Sequence, residues 1–530
     1  MLFTSYQFIG FVSVLLVAYY RIPKRFQWPL LLAASYLFYF LAGADYLIYI
    51  LTTTVSTWFA ACQIERGQQR QDRYLNERKA ELSKEEKRAY KQERKAVRLR
   101  WAVGCVLLNI GILAVVKYTN FVISNVNGIL AALGQPGRLP FVTLILPMGI
   151  SFYTFQAVGY LIDVYRGTIP AEKNLFRFAL FVSFFPQLVQ GPISRFGDLS
   201  KTLYAPHDFD GKTVCYGLQR ILWGGFKKLV IADRVLAGVS TIVGEPSVYN
   251  GAYALVGMLL YTLELYADFT GGIDMTIGIA EAMGITVREN FRRPYFSKSL
   301  KEYWRRWHIS MCSWFRDYIF YPVSVCGPMR KFSKYARKTF GNQVGRRLPV
   351  YISSFVVWLA TGVWHGASWN FIVWGLLNWA VLMLSEELEP LYARFHGRFP
   401  VDGHIWYKVF QVGRTFALVC VLNIFDCYHT LSDTFRALLS VFTVRNWNIL
   451  WDGSLLALGL TGLDYGVLAV GCAVLLAVSL IQRGGSVRDK IARCPYPVRF
   501  ALWYGLFLAV LLMGAYGMGY NASQFIYNQF

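Results

Sequence analysis

Charge is what this chain has least of. Of its 530 residues only 16% are Asp, Glu, Lys or Arg, against 55% hydrophobic, whereas a soluble domain carries about 25% charged residues. That balance excludes an ordinary soluble domain. Apolar runs of membrane-spanning length recur along the chain, so the expected class is all-α, a polytopic helical membrane protein. The polar–apolar alternation of a membrane β-barrel is missing. Acids are scarcer than bases, 31 against 54, leaving a formal charge of +23. A nucleic-acid binder could carry such an excess. Here the basic residues fall between apolar runs, where cytoplasmic loops concentrate Lys and Arg, and no nucleic-acid partner is expected. Nine cysteines are scattered without paired spacing. We expect no metal site and no disulfide framework, only small buried hydrophobes.

Met1–Tyr20 has no basic n-region, and Arg21, Lys24 and Arg25 follow it. This order predicts a retained first span with its N-terminus outside. Shorter spans are expected at Trp28–Leu41 and Tyr46–Cys62. Composition then changes abruptly: Glu65–Arg100 holds 13 Lys/Arg and 7 Asp/Glu. Ser83 and Glu86 read as a capping box in a charged cytosolic helical hairpin. A solvated loop is the simpler role for it, and docking of an acidic partner or anionic lipid the alternative. Further runs lie at Trp101–Leu133, Leu139–Ile162, Phe176–Ile193, Val214–Val243, Ala252–Ile285, Pro349–Leu384, Trp406–Phe425, Leu455–Ile481 and Phe500–Gly519. These predict about ten to thirteen spans, some broken or interfacial. The expected organisation is N-terminal spans at 1–64, the charged loop at 65–100, a membrane core at 101–519 and an extracytoplasmic tail at 520–530.

Pro349–Leu384 contains no formally charged residue and one imidazole, His365. The run exceeds a single crossing and must tilt, break or re-enter. If it is helical, Thr361, His365 and Ser368 share one face. His365 is either a packing histidine bonded to a carbonyl or a proton-handling group. Depth in a membrane favours the second, and Gly362 and Gly366 permit close backbone approach.

A second constellation spans Phe291–Pro322. Ser299 and Glu302 read as a capping box. Leu300, Trp304, Trp307, Met311, Trp314 and Tyr318 form an apolar stripe at helical spacing, with Lys301, Arg305 and His308 on another face. This predicts an amphipathic interfacial helix. It is either a surface anchor or, with Lys301, Arg305 and Arg306, a basic mouth for donor phosphates near His308. Asp163, Asp268 and Asp274 sit deep and need partners, for which structural ion pairs are the expected role. Phe185–Arg195, with its prolines and glutamines, reads as broken backbone lining a cavity.

Several of these stretches together resemble the membrane-bound O-acyltransferase family, in its bacterial branch of alginate O-acetylation and teichoic-acid D-alanylation proteins. They are Leu146-Pro-Met-Gly-Ile-Ser-Phe-Tyr-Thr-Phe-Gln156, Phe185-Pro-Gln with Gly191-Pro-Ile, and the Asp268 segment. Asn290-Phe with Pro294-Tyr-Phe-Ser, Trp304-Arg-Arg-Trp-His-Ile-Ser and Trp364-His-Gly-Ala-Ser-Trp complete the set. The ordered set is specific, whereas Trp-His-Gly by itself is not. The resemblance implies a helical shell around a central tunnel, with His365 as the catalytic membrane histidine and His308 as a second catalytic-site histidine. It implies an acyl thioester donor, acetyl-CoA or an acyl carrier, and no bound cofactor. The terminal Phe525-Ile-Tyr-Asn-Gln-Phe530 resembles a family tail whose tyrosine, here Tyr527, accepts and relays the acyl group. An interfacial aromatic anchor is the other reading of that tail.

The expectation is therefore an O-acyltransferase of the bacterial inner membrane that acetylates an extracellular or cell-wall polysaccharide. Both termini would be extracytoplasmic. Its expected partners are an extracytoplasmic acyltransferase or esterase-like protein, membrane lipids and, for one donor, an acyl carrier protein. D-alanyl transfer to teichoic acid and a non-catalytic donor transporter are the alternatives.

Overall fold

The computed structural model describes residues 4–135 and 137–516; Tyr527 and its motif lie outside the described residues. Helix dominates, and no strand occurs among the described residues. The chain forms two compact units, Met1–Val214 with Ile279–Val287, and Cys215–Gly278 with Arg288–Phe530.

In the first unit, the Ser5 hydroxyl accepts the Phe8 N–H and starts α1 (Tyr6–Arg21). Phe8, Val12, Leu15 and Tyr19 are buried at helical spacing, while Ile9, Val14 and Val17 stay exposed. An outward face that is also apolar suits hydrocarbon rather than water. The elements that follow are α2 (Gln27–Ala42), α3 (Leu47–Glu77), α4 (Lys84–Ala132), α5 (Ile150–Arg166), α6 (Leu175–Ser183), α7 (Phe185–Gln190) and α8 (Phe196–Leu203). The charged stretch is indeed a helical hairpin, but it is no separate element. It is the continuation of α3 and α4 beyond their apolar parts, with Tyr74 stacked on Tyr90 at 4.3 Å and a full Ser83–Glu86 capping box. Two boundaries differ from expectation. Trp101–Ala132 lies within one unbroken helix capped by Leu133, and residues 137–149 before α5 are not helical. Phe184 interrupts Phe176–Ile193 because Pro186 opens a new helix there.

The second unit holds α9 (Gly211–Gly225, beginning just before it), a π-helical stretch at Phe226–Ala232, α10 (Asp233–Gly244) and most of α11 (Ala252–Ala282). It continues with α12 (Leu300–Arg306), α13 (Ile309–Phe315), α14 (Tyr321–Val325), α15 (Gly327–His365), α16 (Trp369–Glu387) and α17 (Glu389–Arg398). Last come α18 (Ile405–Cys427), α19 (Leu431–Thr443), α20 (Gly462–Ile481), α21 (Val487–Ala492) and α22 (Tyr496–Met513). The nine cysteines are all free.

By length and composition, six helices among the described residues can cross a membrane, or up to seven if the bent pair α16–α17 is one span. The polytopic all-α class stands with fewer long spans than expected. The reasons are local. Helices α1 and α2 have 16 residues each, ~24 Å at ~1.5 Å per residue against a ~30 Å hydrocarbon core. Helices α6 and α7 are halves of a broken segment, and α11 carries Glu264, Asp268 and Asp274.

The deep carboxylates on α11 find the partners they need. The Lys228 ammonium lies 2.5 Å from Asp268 and 2.7 Å from Asp233. Lys227 donates to Asp274 at 2.5 Å and to the Thr270 hydroxyl at 2.8 Å. Arg220 bonds Asp274 at 2.9 Å and grips Glu289 with two bonds of 2.6 Å. Both lysines come from the π-helical stretch, inside the apolar run Val214–Val243. Close approach of α9 and α11 makes these pairs reachable: a Cβ on Gly224 would lie 2.5 Å from the Gly271 carbonyl oxygen.

Breaking such a buried pair from one side should cost ~3–5 kcal/mol, whereas a half-exposed partner contributes ~0–1 kcal/mol. Asp274→Ala is therefore expected to collapse the melting temperature of the detergent-solubilised protein, and Glu289→Ala to leave it nearly unchanged. Equal melting temperatures for the two variants would contradict the buried-pair account.

Candidate functional site

Helices α15 and α16 form a hairpin whose backbones touch. A Cβ on Gly362 would meet the Phe371 carbonyl oxygen at 2.5 Å, and one on Gly375 the Trp358 carbonyl oxygen at 2.5 Å. At the turn of this hairpin α15 ends on His365. The Ser368 hydroxyl accepts the Asn370 N–H at 3.2 Å and starts α16. This corrects the one-face expectation for Thr361, His365 and Ser368. Gly366 is extended and breaks the helix, so Ser368 is a cap on the next one. Thr361 turns its hydroxyl to the Val357 carbonyl at 2.8 Å. The long apolar run therefore breaks, and it breaks at the imidazole.

His365 is 9% exposed, with its ring centroid 4.7 Å from Trp374 and 5.1 Å from Trp364. Trp364 is also a neighbour of His308, at 6.0 Å. The two histidines, 57 positions apart in the sequence, thus flank one indole. Phe269 closes on His308 edge-on at 4.9 Å. Trp304 packs on Trp358 and Trp374 and donates its Nε1–H to Asn378 Oδ1 at 3.0 Å.

The stretch around His308 is not the continuous amphipathic helix that its apolar stripe predicts. Helix α12 stops at Arg306, Trp307 is extended, and His308 adopts a left-handed backbone, φ 46° and ψ 51°, before α13 begins. A non-glycine residue there costs ~1–3 kcal/mol and persists only where its surroundings hold it. Asn290 holds it. The Asn290 carbonyl accepts the Ile309 N–H at 3.0 Å, and Oδ1 accepts the Ser310 N–H at 2.9 Å. Two open donors of the α13 N-terminus are thereby satisfied from another segment. Nδ2 faces His308 Nδ1 at 3.2 Å, nearer than Oδ1 at 3.4 Å, which already accepts from Ser310. Asn290 and His308 are both fully buried. The amide as donor makes Nδ1 the acceptor and places the proton of the neutral ring on Nε2. Burial, followed by the positive charge that His365 can carry, holds the His308 pKa well below the usual histidine range.

The basic residues of α12 do not share a face with His308, because the helix ends between them. Lys301 pairs with Glu386 at 3.1 Å on the surface, Arg305 is exposed, and Arg306 pairs with Glu302. The capping box is half made: Ser299 accepts the Glu302 N–H, but Glu302 reaches the Lys298 N–H instead. Sequence reasoning gave Asn290 no role. Its signal, a polar residue just before Phe-Arg-Arg-Pro, does not distinguish a buried clamp from an exposed loop residue.

Residues 166–428, which include Asn290, His308 and His365, match the model of the membrane-bound O-acyltransferase family. Over 486 residues the chain is 32% identical to the probable alginate O-acetylase AlgI of Pseudomonas aeruginosa, covering 91% of this chain and 82% of that protein. It is 28% identical over 418 residues to the peptidoglycan O-acetyltransferase of Helicobacter pylori, covering 74% and 70%. It is 28% identical over 293 residues to the teichoic acid D-alanyltransferase of Bacillus subtilis, covering 54% and 69%.

A buried neutral His308 sets a pH dependence of stability. Below about pH 6.5 the unfolded chain binds a proton that the folded site refuses. Folded stability contributed by this residue is therefore complete above that pH and lost as pH falls through it. Lowering the pH from about 7.5 to about 5 should depress the melting temperature of the parent more than that of His308→Gln. Equal depression in both would contradict the buried neutral assignment.

Proposed function

The chain belongs to the membrane-bound O-acyltransferase family, and we propose that this multi-pass membrane enzyme moves an acetyl group from a cytosolic thioester to an acceptor hydroxyl outside. The observation that carries the proposal is the convergence of His308 and His365 on Trp364, in a pocket of aromatic rings that limits water.

A thioester is already activated, so the enzyme's tasks are orientation and removal of the acceptor proton. In the proposed step the hydroxyl proton passes to His365. The oxygen attacks the thioester carbonyl carbon, the C–S bond breaks, and the thiolate leaves and takes up a proton as the ester forms. His308, with Nδ1 engaged by Asn290, would present Nε2–H to the developing oxyanion or to the leaving sulfur. Lys301, Arg305 and Arg306 are proposed to attract the donor phosphates as a cationic rim, since they do not reach His308's face.

Tyr527 is the proposed first acceptor. A phenol has an ordinary pKa near ~10, so a base assists its attack, and the aryl ester it forms stays reactive enough to hand the acyl group on. The onward acceptor is a cell-surface or cell-wall polysaccharide, reached through an extracytoplasmic transferase. We place this enzyme in the bacterial inner membrane, and the placement of basic clusters supports extracytoplasmic termini. Acetyl transfer is favoured over D-alanyl transfer because the match to the alginate O-acetylase is longer and closer than that to the D-alanyltransferase.

The test is peptide mass spectrometry after incubation with isotopically labelled acetyl-CoA. Label is expected on the peptide carrying Tyr527. His365→Ala should cut it by ~10²-fold or more, the usual worth of a general base, and Tyr527→Phe should abolish it. No label in the parent, with polymer acetylation intact in cells carrying Tyr527→Phe, would overturn the relay.

A further inference from the structure

A cavity that neither histidine lines lies in the second unit. It has a volume of about 310 Å³ between α11, the Arg293–Phe296 turn, α18 and α20. This is at the small end of the ~300–1,000 Å³ typical of ligand sites. Its walls are almost wholly apolar, with Leu263, Phe416, Leu475 and Leu476 among them. Leu476 is 53% exposed, so the cavity opens outward beside α20, a candidate membrane span.

One end of the cavity is cationic. Arg293 lines it, in a left-handed backbone of φ 51°, with its guanidinium over the Phe296 ring at 4.7 Å. The Arg293 Nε is buried and has no hydrogen-bond partner among the described residues. Leu475, Leu476 and Ser479 line the cavity from α20. Arg483 follows Ser479 by four positions, one turn further on, where that helix ends. Partial burial and the positive charges of Arg306 and Arg483 pull the Arg293 pKa below the usual arginine range. Uncompensated positive charge at the mouth of an apolar slot between helices suits a ligand with a phosphate head and a hydrocarbon chain.

We propose that this cavity is a binding site for an anionic phospholipid, one acyl chain between α18 and α20 and the phosphate on Arg293 and Arg483. The lipid would act as a structural ligand, so it should stabilise the folded state by mass action.

The full chain would be purified in mild detergent and titrated with phosphatidylglycerol or phosphatidylcholine, reading retained lipid by native mass spectrometry and the melting temperature. Phosphatidylglycerol should be retained in preference and should raise the melting temperature more. Arg293→Gln and Arg483→Gln should each reduce that preference roughly fivefold without changing the melting temperature in phosphatidylcholine. Leu476→Trp, which fills the slot, should remove retention of the anionic lipid. On the unaltered protein, phosphatidylglycerol with a photoreactive acyl chain should label peptides of α18 or α20. Equal retention of the two lipids, undiminished retention in Leu476→Trp, or labelling confined to other helices would overturn the proposal. Displacement by millimolar inorganic phosphate would reduce the site to a free-anion site and overturn the lipid assignment.

Discussion

Asn290 is the constraint on which the histidine pair depends. In an apolar interior every backbone donor needs a partner, and a helix that starts there leaves N–H groups open. Asn290 answers two of them with its carbonyl and its side-chain oxygen, and turns its amide nitrogen to His308. That single residue therefore starts α13, holds the left-handed turn at His308 and orients the ring. The other histidine is fixed by different means. Gly362 and Gly375 bring α15 and α16 into backbone contact, and the hairpin turn leaves His365 at the end of its helix.

Around this site the second unit manages charge by pairing. Three cations and two carboxylates on α9, the π-helical stretch and α11 pair with one another within about one side chain's reach. In a membrane that pairing is a requirement, since an isolated charge at depth is expensive. The π-helical stretch matters here because its wider turn alters the register in which Lys227 and Lys228 face α11. The pairs thus serve to lock α9 and α10 onto the helix that also supplies Phe269 to His308.

The family and the local architecture support one another without being the same argument. Homology assigns the chain to membrane O-acyltransferases. Geometry supplies a reason why two separated histidines belong to one site: they share Trp364, with Phe269 against His308 and Trp374 against His365. Neither the acceptor nor the donor is encoded in that geometry. The proposed donor and acceptor rest instead on the chemistry of thioesters and on the likeness of the tail that carries Tyr527.

Much was legible in the sequence because it depends on local rules. Scarce charge and long apolar runs determine a helical membrane protein. Ser83 and Glu86 start a helix as their spacing predicts, and a proline divides Phe176–Ile193. What the sequence could not decide are contacts between distant segments and the breaks they enforce. The apolar stripe from Leu300 to Tyr318 looks continuous because periodicity ignores what lies opposite. It is broken at His308 because Asn290, 18 positions earlier, satisfies the backbone there. Thr361, His365 and Ser368 share a helical face only until Gly366 ends the helix. The carboxylates of α11 announce a need for partners, but Lys227, Lys228 and Arg220 are chosen by the close approach of α9 and α11 at Gly224 and Gly271. Hydrophobic pattern and capping act within a few residues of chain, and so are readable from it; hydrogen-bond satisfaction and charge pairing act through space, and only the tertiary structure resolves them.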